Sequence, residues 1–85
     1  MRRYYFDMRE GDDIAPDEEG LELSSIKRAQ EEAARSLADM ARDAVPRLQG
    51  GVAQDMAIEV RDADGPVLKA RLTLDISRLR RATFS

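Results

Sequence analysis

Between Arg3 and Arg9 the side chains alternate. Tyr4, Phe6 and Met8 fall on one face, and Arg3, Tyr5, Asp7 and Arg9 on the other. Period two with aromatic enrichment predicts a half-buried strand. Glu10-Gly11-Asp12-Asp13 follows as a turn-rich cluster. Ile14 to Glu19 reads as a polar connection in which Pro16 cannot donate to a ladder. Glu19 to Leu23 predicts a short second strand, with Leu21 and Leu23 inward and a bend at Gly20.

The period then changes. Ser24 or Ser25 supplies a side-chain oxygen for the free N–H groups of a helix start. Ile26, Ala29, Ala33, Leu37, Met40, Ala41, Ala44 and Leu48 form a stripe down one side of that helix. Lys27, Arg28, Glu31, Glu32, Arg35, Asp39, Arg42 and Asp43 occupy the other side. Glu31 and Arg35 stand four apart as a supporting pair, whereas Asp39 and Asp43 repel. Pro46 ends the helix near Ala44 or Val45. Gly50-Gly51 reads as a flexible link.

Period two then returns, with Met56, Ile58 and Val60 alternating with Ala57, Glu59 and Arg61. Asp62-Ala63-Asp64-Gly65 predicts a hairpin turn, because Gly accepts positive φ. The longest predicted strand runs from Val67 to Ile76 and outruns its partner, Met56 to Asp62. Its surplus end is free to meet the first strand or a second chain. The pattern is ββαββ, an α+β two-layer sandwich with one long amphipathic helix on one face of a small antiparallel sheet. One domain, 1–85, is expected, with an ordered core at about 2–76. Residues 77–85 form a basic tail, in which Leu79 and Phe84 are candidate anchors.

Composition narrows the chemistry. The chain has neither cysteine nor histidine. Disulfides, iron–sulfur clusters, thiolate nucleophiles, the usual zinc sites and histidine-based triads are therefore excluded. Charged residues make up 36% of the chain, so the core is thin for 85 residues. Met1 to Met8 alternates where a signal peptide would have an apolar run, and no run approaches the ~18 residues of a membrane span. A cytoplasmic protein without membrane contact is the expectation.

The successive stretches Arg3-Tyr4-Tyr5-Phe6-Asp7, Asp17-Glu18-Glu19-Gly20-Leu21-Glu22-Leu23, the Ala29/Ala33/Leu37/Ala41 helix, Met56-Ala57-Ile58-Glu59-Val60-Arg61-Asp62 and Gly65-Pro66-Val67-Leu68 have a familiar order. Together they resemble a family of small single-domain alphaproteobacterial proteins known only as a domain of unknown function. The resemblance runs from Arg3 to about Leu74. It implies the fold and supplies no catalytic residue. The junction Gly20-Leu21-Glu22-Leu23 followed by Ala29 and Ala33 also resembles HicB-type antitoxins. This chain departs from them in having two strands after the helix and no appended DNA-binding domain, so that likeness is one of architecture.

The net charge of −3 is unevenly placed. Acids crowd Asp7 to Glu22, and Arg78, Arg80 and Arg81 lie in a stretch without acids. Asp12, Asp13, Asp17, Glu18 and Glu19 lack EF-hand spacing and read as a solvated loop. No catalytic, cofactor-binding or metal-binding residue is expected. The residues left over after burial and turn geometry are Tyr5, Val67, Arg71, Arg78, Arg80 and Arg81, the candidate interaction surface. The first expectation is a non-enzymatic protein-interaction module, self-associating through the sheet as a homo-oligomer or pairing with another protein. The alternative is antitoxin-like, nucleic-acid-linked regulation through the terminal arginines, which include Arg2 and Arg3.

Overall fold

β1 (Arg2–Glu10) opens the chain and pairs with three of the other strands. The structure, a computed structural model, describes residues 1–80. After β1 come β2 (Asp13–Ala15) and β3 (Leu21–Leu23), then α1 (Ile26–Ala44), a 3-10 turn (Val45–Arg47), β4 (Gln54–Asp62) and β5 (Gly65–Leu74). The sheet is antiparallel throughout, with order β2-β1-β4-β5 and β3 also pairing with β1. Helix on sheet, α+β, is the architecture expected. Three strands precede the helix rather than two, because Asp13–Ala15 inside the supposed polar connection folds back on Met8–Glu10.

Alternation decides which face meets the helix. Tyr4, Met56, Ile58 and Val60 are buried against Ala29, Ala33, Leu37 and Ala44. Phe6, Leu68, Ala70, Leu72 and Leu74 pack around them, half-buried. The alanines let α1 approach the sheet closely. Ser25 is the helix cap, its side chain accepting from the Arg28 N–H. Pro46 sits in the 3-10 turn just beyond the last helical residue.

Several expectations shift. Ile26, the first helical residue, is 58% exposed and does not join the buried stripe. Arg35 pairs with Glu32 rather than Glu31, which is held by Arg28. β4 begins at Gln54 and β5 ends at Leu74, so the two match along their length and β5 has no surplus end. β5 cannot reach β1, since β4 lies between them. Ile76 lies outside the strand, and its carbonyl accepts from Gly51 N–H at 2.7 Å, tying the glycine link down. Leu79 is 98% exposed and anchors nothing, and Phe84 lies outside the described residues. No helix among the described residues is long and apolar enough to cross a membrane.

Candidate functional site

The two edges of this sheet are built differently. On one side of β1 the register steps from Met8 opposite Ala15 to Tyr4 opposite Leu21. Five residues, 16 to 20, therefore pass beside three, 5 to 7. β2 and β3 are one strand interrupted by an outward crossing, and Asp17 holds that crossing in place. Its carboxylate accepts from the N–H groups of Phe6 (3.1 Å), Glu19 (3.1 Å) and Gly20 (3.2 Å). Its own N–H donates to Asp7 Oδ1 at 2.9 Å. Arg61, reaching from β4, donates to the Asp17 carbonyl at 3.0 Å and to Asp7 Oδ2 at 2.9 Å. The same guanidinium lies 4.5 Å from the centre of the Tyr5 ring, a cation–π contact.

Burial pushes both carboxyls up, but the opposing contacts win. Arg61 and the Asp17 N–H hold Asp7 below the ordinary carboxylate range. The Phe6, Gly20 and Glu19 N–H groups do the same for Asp17, with help from Arg61. Two ionised, fully engaged carboxylates are poor general acids or bases. The other acids of the loop do not converge, and among the described residues no three His, Cys, Asp or Glu side chains are placed to hold a metal ion.

Gly20 closes the crossing. Its φ is +75°, and a Cβ there would stand 2.9 Å from both Arg3 Cγ and Tyr5 Cε2. Gly20→Ala is expected to cost about 2 kcal/mol, from left-handed backbone strain and displacement of the Tyr5 ring. Urea unfolding checks this, and an unchanged midpoint would mean that the crossing is not tightly held.

The opposite edge is β5, which is continuous. Strand alternation fixes where its backbone groups point. The Asp55 carbonyl faces the β1 side, accepting from Gly11 N–H at 3.0 Å. Odd-numbered residues of β4 thus face β1, and Met56, Ile58 and Val60 face β5. Their register partners Leu72, Ala70 and Leu68 turn inward to β4. Lys69, Arg71 and Thr73 therefore turn their N–H and C=O groups out of the sheet. The same three side chains stand on the face away from the helix, all exposed. Neither Lys69 nor Arg71 has an ion-pair partner among the described residues. Glu59, directly opposite Lys69, is engaged by Arg9 at 3.1 Å.

The anticipated interaction residues do not form one patch. Tyr5 is half-buried beneath Arg61, and Val67 is half-buried at a register shift, packed on the core. Both therefore offer less free surface than an exposed position would. Arg71 lies on the open edge. Arg78 lies against Gly50, at the far end of the sheet from Tyr5, and Arg80 is exposed. Arg81 lies outside the described residues. A separate cleft of about 300 Å³ opens between α1 and the β1–β2 corner, lined by Met8, Ile14 and Met40.

Comparison with protein families matches the chain to the domain of unknown function DUF6894 over residues 3–73. The chain belongs to this family. The DUF6894 match runs from the second residue of β1 to the last but one of β5. It thus contains the Asp17 crossing and the outward-facing Lys69, Arg71 and Thr73, and it stops short of Arg78, Arg80 and Arg81. Comparisons with curated proteins and with solved structures gave no match.

Proposed function

We propose that this chain is a non-enzymatic protein-interaction module that takes an extended segment of another polypeptide as an added strand along β5. The supporting observation is the contrast between the edges. One is short and interrupted, as protected edges are. The other runs from Gly65 to Leu74 with its outward backbone groups unpaired among the described residues.

The added strand need not be a second β5. Residues directly opposite in an antiparallel pair share a face, which limits a two-fold pairing to centres on single residues. The two longest registers centre on Lys69 or on Ala70. They set Lys69 against its own copy or against Arg71, and like charges directly opposite are destabilising. A different chain escapes that repulsion.

Thr73→Pro tests the reading. It removes an outward N–H and the Thr73 hydroxyl's bond to Asp55, and leaves the backbone ladder to β4 intact, the position at which an edge strand tolerates proline. Peptides selected from a displayed library against the wild-type protein are expected to bind Thr73→Pro at least tenfold more weakly, through one lost backbone hydrogen bond and the ring's bulk. Circular dichroism and the melting temperature confirm that the variant folds. Peptides that bind both proteins equally, or a library that yields none, would overturn the proposal.

A further inference from the structure

We infer that the segment added to β5 is acidic at alternate positions and apolar between them. This rests on the strand-addition reading and goes further by naming the partner's chemistry.

Three observations carry it. β5 from Gly65 to Leu74 contains no acid, and its only charges are Lys69 and Arg71, two apart on one face. Both lack an ion-pair partner among the described residues. Glu59, directly opposite Lys69, is held by Arg9, while Arg71 faces the buried Ala57 with Arg9 beyond it, and Asp55, diagonal to Arg71, accepts from the Thr73 hydroxyl at 2.6 Å. Among the described residues neither cation of this edge is therefore closed into an ion pair within the sheet. On the other face Leu68, Ala70, Leu72 and Leu74 are only half-buried, because the sheet ends there and α1 has nothing further to cover.

A strand paired to β5 sets its own side chains directly opposite these. Positions facing Lys69 and Arg71 then favour Asp or Glu. The intervening positions, beside Ala70 and Leu72, favour apolar side chains that extend the core under the helix. The motif is acid–apolar–acid in an extended chain. The N-terminal acidic loop of a second copy is a weaker occupant, since Asp17 is consumed in the crossing and the strands beside it are three residues long.

The test uses the full chain and two capped heptapeptides, one alternating glutamate with valine and one with lysine in place of every glutamate. Backbone amide shifts report the site and the dissociation constant. The acidic peptide is expected to bind about tenfold more tightly than the lysine peptide at low salt, with the largest shifts at Lys69, Arg71 and Thr73. The double variant Lys69→Glu with Arg71→Glu should reverse the preference. Thr73→Pro should weaken both peptides. If both bind equally and both are lost in Thr73→Pro, strand addition stands and the acidic inference falls. If neither binds, strand addition falls with it. If the acidic peptide binds Thr73→Pro as well as wild type, the contact is diffuse charge attraction and both are overturned.

Discussion

Ile58→Ala is expected to destabilise the protein by about 4 kcal/mol, the largest single-residue effect in this fold. Ile58 is fully buried at the middle of β4, the strand that carries the sheet's two longest pairings. Its register neighbours are Met8 on β1 and Ala70 on β5. Ala70 is too small to fill the gap. Met8 is 42% exposed at the corner that α1 leaves uncovered, and burying it there would open the cleft beside Met40 further. The helix residues buried in the same cluster are Ala29, Ala33 and Ala44 with Leu37, and the alanines have no side chain to extend into a gap. A poorly collapsing site loses both the transfer free energy and the cavity contacts. A domain of this size has roughly 4–13 kcal/mol in total, so the variant stands near its folding threshold. Urea unfolding should show the midpoint falling with little change in slope, and the melting temperature dropping by tens of degrees. A loss below about 1.5 kcal/mol would mean that the sheet and helix close over the gap, contrary to the packing described.

The elements most readable from sequence were those whose period persists. Tyr4/Phe6/Met8, Met56/Ile58/Val60 and the Ala29/Ala33/Leu37 stripe each state a face, and burial enforces it. Gly65, at φ +121°, marked the hairpin for the same local reason. β2 was not readable. Three exposed residues, Asp13, Ile14 and Ala15, carry no period and form a strand only because β1 offers them a ladder. The first two residues of β4, Gln54 and Asp55, likewise take their state from Leu74 and Thr73 across the hairpin. That changed the meaning of β5, from a strand with a loose end to an edge open along its length.

The polar site was legible only in fragments. Gly20 stood out as a bend, but Asp17 was one acid among many in a stretch that reads as a solvated loop. Its role depends on Phe6, eleven positions earlier, and on Arg61, forty-four positions later. Tyr5 was recognisable as an aromatic on the outward face. The guanidinium that covers it comes from a strand beyond the helix, so its half-burial is a tertiary property.

Asp17→Ala is expected to cost about 3 kcal/mol at neutral pH, since three backbone N–H groups lose a charged acceptor at once. The cost should depend on acidity. The folded-state pKa values of Asp7 and Asp17 lie below their ordinary value, near 3.9. A carboxyl with a depressed folded pKa contributes stability that is fully present above its unfolded value and lost as pH falls through the folded one. Wild type should therefore lose stability steeply below about pH 4, and Asp17→Ala less so, with the two curves converging in acid. Parallel curves from neutral to acid would show that the Asp17 charge does not hold the crossing. The variant also bears on how the two edges differ. Without its central acceptor the crossing loosens, and the three-residue strands β2 and β3 on either side of it are freed to detach from β1. The protein would then expose two open edges instead of one. Light scattering should detect concentration-dependent growth of Asp17→Ala beyond a dimer, which one open edge per chain cannot support.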